Sequence, residues 1–447
     1  MKIIFKRLTN VDIIALGFIT MILIGTLLLM LPIATHQHVS TPFIDALFTA
    51  TSASCVTGLV VVDTAQHWSF FGQCVILLLI QIGGLGFITI GVFFATYLKR
   101  KIGLRERGLI VESVNTLKLS GGVKLVKHIM KGTLFFEGLG ALILSLSFIQ
   151  DYGVCRGIYY GIFHAVSAFC NAGFDVLGML NPYGSLVSYV GNPVINITIM
   201  ALIIVGGLGF VVWEDIYEKK WHFHRYLLQT KVVLSTTVFL ILTGALLIYI
   251  AEYQNVFLHM SQSETFLGCF FQSVTTRTAG FNTIDITLLS RASRLVMMIL
   301  MFIGGSPGST AGGMKTTTCV VLIGYVYATM TYKEECQIFH RRFDDQTVKK
   351  AFCVLLINLC LVIGGCLLIL LIQPQFIFED VMFEVISALG TVGISTGITR
   401  DFTIFSKLVI IFLMFSGRVG SLTFAFTLTR KKKITKCINP AEKVAIG

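Results

Sequence analysis

Charge is scarce in this chain. Only 13% of its residues are Asp, Glu, Lys or Arg, where soluble domains carry about a quarter. Acid is scarcer than base, with 23 Asp and Glu against 35 Lys and Arg. The eleven cysteines include no C-x-x-C and no Cys/His spacing suited to zinc. Most lie in apolar runs, where a free Cys behaves as a small hydrophobe, so they neither require disulfides nor suggest a metal site. The polar clusters of membrane enzymes, D-D-x-x-D or H-E-x-x-H, are missing, and the one Asp pair, in FDDQT (Phe343–Thr347), fails that pattern. A polytopic membrane enzyme is therefore the weaker alternative. No nucleotide fingerprint follows a strand pattern, because the G-G-x-G matches fall within apolar runs.

What the chain has instead is apolar length. Hydrophobic residues make up 55% of it, with a mean hydropathy of +0.83, which marks an integral membrane protein. The first apolar run, Val11–Leu31, follows a short basic start (Lys2, Lys6, Arg7) and ends in LPIATHQ. It is too long for the core of a cleaved signal peptide and lacks its small-residue cleavage site, so it reads as a retained span.

An internal repeat lies beneath weak identity. SASCVTGL (Ser52–Leu59), SAFCNAGF (Ser167–Phe174), VTTRTAGF (Val274–Phe281) and SALGTVGI (Ser387–Ile394) align on Gly58, Gly173, Gly280 and Gly393. These glycines are 115, 107 and 113 residues apart, and Phe48, Phe163, Phe270 and Phe383 stand ten residues before them. A long apolar run precedes each segment: Val11–Leu31, Ile129–Ile149, Val232–Ala251 and Ala351–Ile372. Another follows it, over Gly72–Leu98, Val194–Trp213, Leu295–Met330 and Leu408–Leu428, and carries G-x-x-G at Gly83–Gly86, Gly206–Gly209, Gly305–Gly308 and Gly417–Gly420. The semi-apolar stretch of about 12 residues before each aligned glycine is too short to cross a bilayer and fits a re-entrant half-helix. The pattern predicts an all-α membrane protein of four tandem span, re-entrant pore helix and span repeats around a central pore. The repeats run over 1–100, 101–218, 219–335 and 336–430, with a tail at 431–447.

Lys and Arg test that topology. If each short segment enters and leaves on one side, 27 of the 35 fall on the side of both termini, six on the other, and Lys315 and Arg418 within spans. Basic residues concentrate in the cytosol, so both termini are expected there. Spanning segments would flip the side at each repeat and erase the bias. The net charge of +12 thus reports topology rather than nucleic-acid binding. The basic stretch KRKIGLRER (Lys99–Arg107) is free to contact anionic lipid.

Non-helical backbone survives at membrane depth only when buried in protein or lining a watery cavity. Four glycine-ended loops brought together would supply a ring of backbone carbonyls, able to replace the water shell of a small cation. The half-helices before them would aim their partially negative ends at the same place. The fourth loop, GTVGI, is close to the T-V-G-Y-G filter of potassium channels.

With these loops in register, the chain resembles the Trk/Ktr/HKT superfamily of potassium transporters over essentially its whole length, most closely the bacterial Ktr membrane subunit. The resemblance places the selectivity filter on Cys55, Val56, Thr57 and Gly58; on Cys170, Asn171, Ala172 and Gly173; on Arg277, Thr278, Ala279 and Gly280; and on Gly390, Thr391, Val392 and Gly393. Serine at the first filter glycine accompanies sodium transport in some plant members, so four glycines imply potassium; a sodium or poorly selective pathway is the alternative. It further implies a homodimer in the plasma membrane on a cytosolic ring of nucleotide-binding (RCK-type) regulators, with ATP or ADP bound only there. Sodium is implied as an activator.

The family also has a Gly/Ser/Thr-rich intramembrane gate in the second span of repeat three. GGSPGSTAGGMKT, from Gly304, Gly305, Ser306, Pro307, Gly308, Ser309 and Thr310 through Ala311, Gly312, Gly313 and Lys315 to Thr316, matches it, and the other three repeats read as continuous runs. Arg418 occupies the fourth G-x-x-G, where a charge costs about 2.5–3.5 kcal/mol unless it meets water or a partner. It is expected to face the pore as a barrier that the loop modulates. Lys315 is expected to snorkel to the cytosolic interface. Arg277 has Glu264 and Glu384 as candidate partners. Asp45 and Asp380, each 13 residues before a filter glycine, are expected to cap pore helices and to attract cations. His36, His38 and His67 read as solvated loop residues.

Overall fold

The computed structural model describes residues 9–98, 103–113, 122–179, 181–220, 222–333 and 335–420. Lys2, Lys6, Arg7, part of the KRKIGLRER stretch, and everything from Ser421 onward, including the tail 431–447, lie outside them.

Each of four units begins with a long apolar helix. These are α1 (Asn10–Leu29), α6 (Gly122–Tyr152), α10 (Leu228–Glu252) and α14 (Asp345–Ile372), of 20, 31, 25 and 28 residues. At 1.5 Å per residue each covers the roughly 30 Å of a hydrocarbon core. All four are long and apolar enough to cross a membrane. Short helices follow them: α2 (Phe43–Ser54), α7 (Val154–Phe169), α11 (Gln262–Thr275) and α15 (Phe378–Gly390). Their lengths correspond to about 18–24 Å, too little to cross. Phe48, Phe163 and Phe383 are fully buried, whereas Phe270 is half-buried against Phe266.

The second spans depart from the sequence expectation. In the first unit α3 (Phe70–Leu85) turns by 90° into α4 (Phe87–Tyr97), and in the second α8 (Pro193–Leu208) turns by 92° into α9 (Phe210–Lys219). The third divides into α12 (Arg291–Ile303) and α13 (Thr316–Met330), and the fourth, α16 (Ile404–Val419), ends at Gly420. The expected continuity in the first two units is therefore corrected. The last glycine of every G-x-x-G is left-handed: Gly86 at φ 81°, Gly209 at 99°, Gly308 at 64° and Gly420 at 97°. A Cβ would penalise that conformation. Helix α5 (Leu104–Ser113) joins the first two units, and a hairpin of β1 (Gln337–Ile338) and β2 (Arg341–Arg342) joins the last two.

Local chemistry sets the helix starts. Thr9 with Asp12, and Ser261 with Glu264, form capping boxes, while Ser69, Asn192 and Ser290 cap α3, α8 and α12. Such caps satisfy N–H groups that the first turn leaves open. Asp45 and Asp380 do not cap, correcting that expectation: Pro42 and Ile377 hold those positions without side-chain hydrogen bonds. Asp45 instead pairs with Lys407 of α16 at 2.6 Å, and Asp380 with Arg294 of α12 at 3.3 Å. Each pair ties a short helix to the second span of another unit. His67 is half-buried against Trp68, with Thr41 Oγ1 2.9 Å from its Nε2, rather than simply solvated.

Candidate functional site

The four loops adopt one conformation. The residue two before each aligned glycine is left-handed: Val56 at φ 58°, Asn171 at 60°, Thr278 at 67° and Thr391 at 51°. So is the glycine itself: Gly58 at 92°, Gly173 at 69°, Gly280 at 86° and Gly393 at 90°. For β-branched Val56, Thr278 and Thr391 this conformation is an outlier costing about 1–3 kcal/mol, held only where the surroundings impose it. The surroundings are visible. Thr57 N donates to Ser52 O, Ala172 N to Ser167 O and Val392 N to Ser387 O, each at 2.8 Å, and Ala279 N donates to Thr275 O at 2.9 Å. The hydroxyls of Ser52 and Ser387 accept from Gly58 N and Gly393 N at 3.1 Å. Those of Ser167 and Thr275 donate to Phe174 O and Phe281 O.

The loops close a ring in chain order. A Cβ on Gly58 would stand 2.4 Å from Ala172 O, one on Gly173 2.6 Å from Ala279 O, one on Gly280 2.7 Å from Val392 O, and one on Gly393 2.0 Å from Thr57 O. Each glycine is thus pressed against the next unit's carbonyl, and no side chain fits at any of the four. Above the ring a cavity of about 260 Å³ is lined by all four glycines, by the three acids Asp63, Asp175 and Asp285, and by one cation, Arg400. The ring therefore presents carbonyls and small backbone beneath an acid-lined mouth, a setting for a bare cation.

Below it lies the loop from Gly304 to Lys315. Ser306 N and Thr310 N donate to Gly207 O and Gly206 O at 3.2 and 3.3 Å, and Gly313 N donates to Gly417 O at 3.2 Å. Phe210 N returns a bond to Gly308 O at 2.7 Å. Added Cβ atoms on Gly312 and Gly313 would stand 2.1 Å from Thr391 Oγ1 and 3.0 Å from Gly390 Cα and O. The loop abuts the fourth ring segment directly. Gly305, Ser309 and Ala311 pack within the loop itself, an added Gly305 Cβ meeting Ala311 Cβ at 2.3 Å and Ser309 Oγ donating to Ser306 O at 2.7 Å. Pro307 lies at its turn.

Arg418 lies at this junction, with carbonyls as partners. Its guanidinium donates to Thr310 O, Gly83 O and Gly84 O, the last at 2.9 Å. One side chain therefore joins the fourth unit to the first and to the loop. Lys315 corrects its expectation: instead of snorkelling, its ammonium folds back to donate to Ala311 O at 2.8 Å and Gly312 O at 2.9 Å. Arg277 pairs with neither expected acid. Its guanidinium is buried without a hydrogen-bond partner among the described residues. Glu264 is occupied in its capping box, and Glu384 accepts from Thr396 N at 2.9 Å and Thr399 Oγ1 at 2.7 Å.

Two supports brace the ring from outside the carbonyls themselves. The first glycine of G-x-x-G lets a second span touch its pore helix: a Cβ on Gly83, Gly206 or Gly417 would stand 2.0 Å from Ser54 O, Phe169 O or Leu389 O. Asn171 is a second support. Its Nδ2 donates to Arg277 O at 3.2 Å, and its Oδ1 accepts from Thr310 Oγ1 at 3.3 Å, linking two ring segments to the loop. The repetition of G-x-x-G is the sequence signal for the first; Asn171 is read from the sequence only as a filter position, and its side-chain bonds to Arg277 O and Thr310 depend on residues 106 and 139 positions away.

Known proteins resemble this chain in sequence and fold. The family model described as TrkH, cation transport protein, matches residues 8–436. The potassium/sodium uptake protein NtpJ of Enterococcus hirae is 43% identical, covering 99% of this chain and 98% of its own. The Ktr system potassium uptake protein B of Bacillus subtilis is 41% identical over 96% of this chain and 94% of its own. The crystal structure of the potassium transporter TrkH from Vibrio parahaemolyticus superposes with a TM-score of 0.70 at 18% identity, covering 95% of this chain and 86% of that one, which shows a common fold. These relatives are named as transporters, and the enzyme alternative falls away. With its long apolar helices, short pore helices and bent second spans, this multi-pass membrane chain belongs to the TrkH family of cation transport proteins.

Proposed function

We propose that this chain is the ion-translocating membrane subunit of a potassium uptake system. The observation that carries the reading is the closed ring in which Gly58, Gly173, Gly280 and Gly393 each abut the next unit's carbonyl. Such carbonyls can substitute for the hydration shell of a potassium ion. The filter is made of Cys55–Gly58, Cys170–Gly173, Arg277–Gly280 and Gly390–Gly393, and glycine at all four ring positions favours potassium over sodium. The names of the relatives as potassium or potassium/sodium uptake proteins support that cargo.

The loop Gly304–Gly313, with Lys315 and Arg418, is the gate. Its hydrogen bonds to Gly206, Gly207 and Gly417 hold it under the ring, and the bonds from Arg418 fasten it to the first unit. Displacing it opens the path to the cytosol. The units divide at 1–100, 101–218, 219–335 and 336–430, with both termini in the cytosol and the protein in the plasma membrane. It works as a homodimer on an RCK-type nucleotide-binding ring, and sodium activates it; the name Ktr system potassium uptake protein B, carried by two relatives, fits a system of more than one component.

Flux in proteoliposomes tests the proposal. Purified protein should carry potassium down its gradient, with sodium carried more slowly. No potassium permeation with or without the regulatory ring and its nucleotides would overturn it. Equal sodium and potassium flux would favour the poorly selective alternative instead.

A further inference from the structure

One ionisable side chain inside a span has no part in the ring or the loop. Glu137 lies midway along α6 and is 7% exposed. An acid at such depth is expensive to keep and marks function, with its partner the first clue. Its partner is Gln81 of α3, whose Nε2 donates to Glu137 Oε2 at 3.1 Å. Between them sits the fully buried thiol of Cys170, the first residue of the second loop. Its Sγ lies 3.7 Å from Gln81 Oε1 and 3.8 Å from Glu137 Oε1, within reach of a weak S–H donor. Gly84 closes the remaining side, since a Cβ there would stand 2.7 Å from that sulfur.

This cluster breaks the fourfold pattern. Gln81 stands two residues before its G-x-x-G, where the other units have Ile204, Ile303 and Phe415. At the distance of Glu137 before its loop glycine, the others have Ile22, Gly244 and Ile357. Two polar departures from the repeat meet at one point, directly behind a ring segment. Packing alone is served in the sister units by residues without a polar side chain. The next residue, Asn171, carries the strained backbone of that segment and bonds the third segment and Thr310. A shift of Cys170 would therefore reach the ring.

We propose that Gln81 and Glu137 are a positioning pair that holds the second loop through Cys170 and so sets the ion preference of the ring. This rests on the reading of Cys170–Gly173 as filter. The pair touches no ion. It fixes the register of the one segment whose carbonyl at Ala172 faces Gly58.

The test measures potassium and sodium flux in proteoliposomes for Glu137→Leu, Glu137→Gln and Gln81→Leu, with Gly173→Ser as reference. Glu137→Leu and Gln81→Leu should lower the potassium-to-sodium flux ratio about threefold to tenfold, the effect of a lost hydrogen bond. Glu137→Gln keeps an acceptor for Gln81 and should retain most of the ratio. Elution volume and thermal stability identify any variant that misfolds; if Glu137→Leu does, Gln81→Leu with Cys170→Ala carries the test. An unchanged ratio in folded Gln81→Leu, or equal losses in Glu137→Gln and Glu137→Leu, overturns the inference. If Gly173→Ser also leaves the ratio unchanged, the filter reading has failed; if it alone shifts the ratio, only the positioning role falls.

Discussion

Replacing Arg418 by Gln should open the pathway. The guanidinium donates to three carbonyls, Thr310 O on the loop and Gly83 O and Gly84 O on the first unit. Hydrogen bonds from a charged donor contribute about 1.5–3 kcal/mol each. Much of that sum offsets the several kcal/mol of taking the cation out of water. Only the bond to Thr310 O is lost when the loop leaves, so the bias removed is about 1.4–2.8 kcal/mol, or roughly a 10- to 100-fold rise in the open population. The assay is potassium flux into proteoliposomes without any soluble partner, at matched protein density. Arg418→Lys separates two routes. It keeps the charge, but a single ammonium cannot reproduce the planar fork across three carbonyls. If the fastening matters, Lys raises flux partway toward Gln; if charge alone is the barrier, Lys stays at the wild-type rate. Unchanged or lower flux in folded Arg418→Gln would show that this side chain does not hold the loop closed.

Other perturbations follow from the same contacts. Gly58→Ser places a Cβ 2.4 Å from Ala172 O, so the ring must deform and potassium preference over sodium should fall; an unchanged flux ratio would count against the filter assignment. Lys407→Met leaves Asp45 without its partner at 2.6 Å, both side chains being less than a fifth exposed. Loss of up to about 3 kcal/mol is expected, near the lower end for breaking a buried pair. It should appear as a lower melting temperature in detergent that Asp45→Asn partly restores; an unchanged melting temperature would argue that the pair does not hold the first and fourth units. Gly83→Ala drives a methyl to 2.0 Å from Ser54 O, and should destabilise by about 1–3 kcal/mol, the usual range for overpacking; wild-type stability would mean the span does not press on the pore helix.

Much of the architecture was legible because the ring demands the same small residue four times. Gly58, Gly173, Gly280 and Gly393 carry the register in the sequence, and each meets a carbonyl in the structure. The serines aligned with them, Ser52, Ser167 and Ser387, proved to brace the loops. The breaks at Gly86 and Gly209 were hidden because a glycine flanked by apolar residues reads equally as packing and as a bend. Only the third unit, where Ser306, Pro307, Ser309 and Thr310 interrupt the run, announced its break. Partners distant in the chain were also invisible. Asp45 and Lys407 are 362 residues apart, and Arg418 and Gly83 are 335 apart. Lys315 misled for a related reason: snorkelling is the default for a span-end lysine, and the nearby carbonyls of Ala311 and Gly312 appear only once the loop has folded.

In the proposed pathway the ring of backbone carbonyls holds the transported ion. Anomalous diffraction from crystals soaked in rubidium or thallium would test it at the atoms concerned. Ion density is expected on the axis encircled by the carbonyls of Thr57, Ala172, Ala279 and Val392, displaced by potassium and weakened in Gly58→Ser. Density confined to other sites, in protein that still carries potassium, would contradict it.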